Sequence, residues 1–111
     1  MLTMSLESGL WTIYDLQLPL VEIDFSTYLL KEGYISQEDI ENFNKAKALV
    51  RESYYLNRSN EDQIIEKLKE ALSLLESIKP KKPFPPEMKI RFEELKRAIK
   101  EVLEKRDQGS S

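Results

Sequence analysis

The sequence predicts an all-α fold. The expected architecture is a small bundle of three main antiparallel helices, at about 37–56, 60–79 and 86–106, preceded by a short helix at about 21–32 and an N-terminal arm over 1–20. Three observations predict it. Apolar residues recur at helical spacing, most regularly across 64–78 and 88–102. Helix start and stop residues bracket these stretches. The composition is 33% charged, mostly Lys and Glu, with only three Gly, a mixture that suits helices. With 111 residues, the whole of 1–111 reads as a single helical domain, closed by a frayed tail at 107–111.

The N-terminal segment "LWTIYDLQLPL" fits two periods. Leu10, Thr12, Tyr14, Leu16 and Leu18 alternate as a strand does, whereas Leu6, Leu10, Ile13 and Gln17 follow a helix. Pro19 is expected to end either one. An isolated strand lacks a partner in this chain, so the segment reads as an extended or short helical arm lying across the bundle. The stretch "DFSTYLLKEGYI" then reads as a short helix stopped by Gly33. Gly33 takes the left-handed C′ position, and Tyr34 packs back on Leu29 as in a Schellman motif.

The first main helix has two independent start signals. Ser36 as N-cap and Asp39 three residues later form an acidic variant of the capping box, and Ile35 and Ile40 are placed as a hydrophobic staple. Its apolar residues lie on two sides, with Ile40, Phe43, Val50 and Tyr54 on one and Leu49 and Leu56 on another, so it should touch two neighbours. The second main helix starts at Ser59 or Asn60, carries Glu61 and Asp62 in its first turn, and is stopped by Pro80. Its seam of Ile64, Leu68, Ala71, Leu75 and Ile78 has 4-3-4-3 spacing. The third starts at Pro85 or Pro86, where proline suits the first helical position. Its seam, Met88, Phe92, Leu95, Ile99 and Val102, has the same spacing, which favours an antiparallel pair.

Between these two helices lies "KPKKPFPPEMK" at 79–89. Pro80 and Pro83 stand in P-x-x-P spacing, the pattern of a polyproline ligand. Context favours a corner: Pro80 stops one helix, Pro85 or Pro86 starts the next, and Phe84 is placed to cap the turn. Folding leaves Lys81 and Lys82 unexplained.

The residue inventory excludes several functions. The chain has no Cys and no His, which rules out zinc ribbons, thiol nucleophiles, disulfides and serine–histidine couples. Its three glycines are isolated, so no phosphate loop exists. The carboxylates serve helix starts and i,i+4 pairs such as Glu93–Arg97 and Glu101–Lys105. Tyr54 and Tyr55 are expected to pack as aromatics. No catalytic, cofactor-binding or metal-ligating residue is assigned, and no enzyme activity is expected. The start "MLTMSLESGLW" lacks the basic n-region of a signal peptide, and no apolar run reaches the ~20 residues of a membrane span. The expectation is a cytoplasmic chain, with a Lys- and Glu-rich composition that also fits a thermophilic source.

Net charge is −3 but strongly polarised: residues 1–44 carry eight acids and one base, whereas 79–111 carry ten bases and six acids. The acidic part also holds many aromatic and leucine residues. The expected function is therefore a protein–protein interaction module or small accessory subunit, in a homo-oligomer or with another protein, contacting its partner through Trp11, Tyr14, Leu16, Leu18 and Ile90. The alternative is a nucleic-acid-associated accessory factor using Lys81, Lys82, Lys89, Lys96 and Lys100 as a line of cations for phosphates. The sequence pI of about 5.1 opposes it. The order "LQLPL…YLLKEGYI" resembles the strand–LP–helix–glycine segment of GINS replication subunits, over about a fifth of the chain. The proline-to-glycine interval is longer than in that family and the chain is shorter. The resemblance directs the alternative toward DNA replication or repair.

Overall fold

The computed structural model describes the backbone of residues 6–22 and 25–109, with the side chains in these ranges except those at 6, 7, 17–22, 25, 26, 58 and 106–109. It is an all-α bundle. Helices α1 (Leu6–Glu22), α2 (Phe25–Lys31), α3 (Gln37–Tyr55), α4 (Glu61–Glu76) and α5 (Pro86–Gly109) follow in order, with a single 3-10 turn, Arg58–Asn60, between α3 and α4. No strand occurs among the described residues.

The turn from α2 into α3 follows local chemistry step by step. Gly33 has φ 77°. The Tyr34 N–H donates to the Leu29 carbonyl at 2.8 Å and the Gly33 N–H to the Leu30 carbonyl at 3.1 Å, the paired bonds of a Schellman motif. Two residues later the Asp39 N–H donates to Ser36 Oγ at 3.2 Å, and the Ser36 N–H donates to Asp39 Oδ2 at 3.3 Å. Ile35 and Ile40, flanking this capping box, are both buried. One helix is thus closed and the next opened within a few residues.

The α3–α4 pair is antiparallel and its register is visible in two cross-links. Lys67 Nζ donates to Glu52 Oε1 at 2.9 Å near the connecting turn. Asn42 Nδ2 donates to Ser77 Oγ at 3.3 Å near the far end. Moving from the first link to the second takes ten residues back along α3 and ten forward along α4, as antiparallel helices of equal rise require. The Asn57 side chain starts the connection by accepting the Ser59 N–H at 2.9 Å.

The core follows the predicted seams. Ile64, Leu68, Ala71, Leu75 and Ile78 are buried from α4 and its end, and Phe92, Leu95, Ile99 and Val102 from α5, with Met88 half-buried. Ile40, Phe43, Ala46 and Val50 come from α3. Ser53 is also fully buried there, and it is accommodated because its Oγ donates to the Val50 carbonyl at 2.7 Å.

The N-terminal segment differs from the arm expected over 1–20. It is a 17-residue helix, and Leu10 and Ile13 are fully buried. Helix α1 packs mainly on α5 and on α3, while α4 lies between α3 and α5, so four long helices close a ring. The three-helix core is in this way completed by a fourth helix. Helix α1 continues through Pro19 to Glu22. Proline there withholds one hydrogen bond from the Asp15 carbonyl, a cost of about 3 kcal/mol, and burial of the Leu10–Ile13 face offsets it. The helical course of "LQLPL" also removes the strand that the GINS resemblance implies. Residues 1–5 of the expected arm lie outside the described residues.

Helix ends shift by a few residues. The short helix occupies Phe25–Lys31 rather than starting near 21, because α1 takes the residues before it. Helix α4 ends at Glu76, two or three residues short of the expected Ile78 or Lys79; the Ser77 hydroxyl turns back to the Leu74 carbonyl at 2.6 Å and the Ile78 N–H to the Leu75 carbonyl at 3.3 Å, ahead of Pro80. Helix α5 continues to Gly109, through the first part of the tail expected at 107–111; residues 110–111 lie outside the described residues. On α5, Glu93 pairs with Lys96 at 3.1 Å, one turn away by i,i+3, rather than with Arg97 as its i,i+4 spacing suggested.

Equilibrium urea unfolding tests this account. Ser36→Ala should lower stability by about 1 kcal/mol through loss of the cap. Gly33→Ala should cost about 1–2 kcal/mol from its positive φ alone, because nothing lies within 4 Å of an added Cβ. Leu68→Ala, with 0% exposure, should cost about 2–5 kcal/mol.

Candidate functional site

The most conspicuous surface feature is an aromatic cluster where α1 crosses the last turn of α3. Tyr54 and Tyr55 are adjacent, and neighbouring helical residues point about 100° apart. One of the two therefore cannot follow the other toward the core. Tyr54 is half-buried and stacks on Tyr14 of α1, with centroids 4.6 Å apart and planes 23° from parallel. Tyr55 stands edge-on to both, 5.2 Å from Tyr54 and 6.2 Å from Tyr14, and remains 68% exposed. Trp11 lies one turn before Tyr14 on α1 and is 58% exposed. Its i+4 neighbour Asp15 is exposed as well.

Electrostatics tie the cluster together. The proximity of the Tyr55 hydroxyl raises the Tyr14 pKa above its ordinary value of 10.0, by favouring the neutral phenol and by charge repulsion once both ionise. Arg51, one turn before Tyr55 on α3, acts the other way through its positive charge. Tyr14 from α1, Tyr54 and Tyr55 from α3 and the Arg51 guanidinium thus share a region that neither helix makes alone, with Trp11 one turn before Tyr14 on α1.

The residues expected at a protein contact fall into different places. Tyr14 belongs to this cluster, and Trp11 lies exposed one turn before it on α1. Leu16 is half-buried against the core. Leu18 lies in α1, but its side chain is outside the described residues. Ile90 is 58% exposed, yet it sits in the first turns of α5 near the proline corner, at the other end of the bundle. Tyr55 and Arg51 were not singled out as contact residues. The signal for Tyr55 was the Tyr54–Tyr55 dipeptide on a helix. Arg51 has no signal in sequence, since only the fold sets it beside Tyr14.

The cations of the nucleic-acid alternative are partly engaged within the chain. Lys96 Nζ is 3.1 Å from Glu93 and 4.8 Å above the Phe92 ring. Lys100 pairs with Glu76 at 3.4 Å. Lys82 Nζ lies 4.5 Å over the Tyr34 ring. Lys81 and Lys89 are exposed. The Lys81 N–H donates to the Tyr34 carbonyl at 2.7 Å, which fastens the proline corner to the α2–α3 turn. Phe84 is buried in that corner, 6.2 Å from Tyr34 and 5.8 Å from Phe92, both edge-on. A separate open hollow of about 380 Å³ between α4 and α5 is lined by Lys69, Leu72, Ser73, Glu76, Ser77 and Leu103. No helix among the described residues is long and apolar enough to cross a membrane.

The phenol pair gives a direct test. Because the folded chain raises the Tyr14 pKa, its contribution to stability is fully present below about pH 10, the unfolded value, and is lost as pH rises through the folded value. In a tyrosinate absorbance titration, Tyr55→Phe should move one phenol to lower pH, and Tyr14→Phe should remove that same phenol. An unchanged titration in Tyr55→Phe would contradict the coupling of the two phenols. Compared with known proteins, the chain matches no family model, no curated protein and no solved structure.

Proposed function

We propose that the chain is a non-catalytic helical interaction module, a small accessory subunit that contacts its partner through the aromatic face of α1 and α3. The observation that carries this reading is the exposure of Trp11 and Tyr55, at 58% and 68%, on a rigid stacked base of Tyr14 and Tyr54. Large aromatic side chains bury 150–250 Å² each when covered, so leaving them in water forgoes a large hydrophobic gain. Tyr, Trp and Arg are also the residues that dominate binding energy at interfaces. Trp11, Tyr14, Tyr55 and Arg51 supply all three types on one face. Their base loses little conformational freedom on binding, because the stacked rings are already held.

The reading places nucleic acid second. Phosphate binding draws on cations that face water, and here Lys96 and Lys100 already meet carboxylates at 3.1 and 3.4 Å.

Affinity capture with the full chain, scored by mass spectrometry against a Trp11→Ala/Tyr55→Ala double variant, tests the proposal. A defined partner, including a second copy, should be held by the wild type and lost by the variant. The variant should retain its helical circular dichroism, since both side chains are mostly in water. Identical captured sets from a folded variant would refute the role of this face.

A further inference from the structure

We draw no further inference here: the strongest candidate, the exposed aromatic surface patch of Trp11 and Tyr55 where α1 crosses the end of α3, holds both the Arg51 guanidinium and the Asp15 carboxylate, so its charge selects no partner, and nothing in the structure shows what covers it.

Discussion

The antiparallel seam between α3 and α4 is the interaction on which the rest of the structure depends. A connection of only a few residues, from Leu56 to Asn60, leaves the two helices no choice but to fold back on each other. Ile64, Leu68 and Leu75 then meet Phe43, Ala46 and Val50 as one buried surface. The two polar cross-links at opposite ends, Lys67–Glu52 and Asn42–Ser77, are solvent-facing and contribute little energy. Their value is as markers of register, which the apolar seam sets. Once that pair exists, α1 and α5 have a template on which to bury their own faces.

Two consequences appear at the ends of α3. At its start, the closed turn of Gly33 and the capping box of Ser36 hold Tyr34 in a fixed place. Tyr34 receives the proline corner through one backbone hydrogen bond, an edge-on contact with Phe84 and the Lys82 ammonium. The corner is therefore a built structure, with Phe84 buried, Pro85 half-buried and Pro80 and Pro83 exposed. At the other end, α3 finishes on two adjacent tyrosines. The stacking of Tyr54 on Tyr14 locks α1 against α3, and Tyr55 is left outside by helix geometry. One ring secures the fold while its neighbour stays available.

The polarised charge of the chain is distributed over this frame in a way that linear counting does not anticipate. Several lysines of the basic last third are drawn to carboxylates or rings of the same chain. Pairs such as Lys96–Glu93, with Lys96 half-buried, and the exposed Lys100–Glu76 are weak individually, yet they reduce the field that a row of unpaired cations would project. At opposite ends of α3 stand a short basic stretch on the corner and an aromatic surface that carries both the Arg51 guanidinium and the Asp15 carboxylate.

Much of the fold was legible in the sequence because its signals are local. The capping box at Ser36, the glycine at Gly33 and the 4-3-4-3 seams of α4 and α5 each depend on residues within a few positions of one another, and each occurs as read. The α1 segment was not legible for the same physical reason in reverse. Alternation and helical period coexist there, and Pro19 argues for an end. Only burial of Leu10 and Ile13 against α5 and α3, contacts that span much of the chain, tips the balance to a helix running through the proline. The candidate site divides likewise. Sequence alone determined that Trp11 and Tyr14 stand one turn apart, that Tyr54 and Tyr55 cannot both point inward, and that prolines bracket a turn. Tertiary structure alone decided that Tyr14 meets Tyr54 and Tyr55 within the field of Arg51, and that Ile90 lies far from them. Adjacency across helices is set by long-range burial, which no short stretch of sequence encodes.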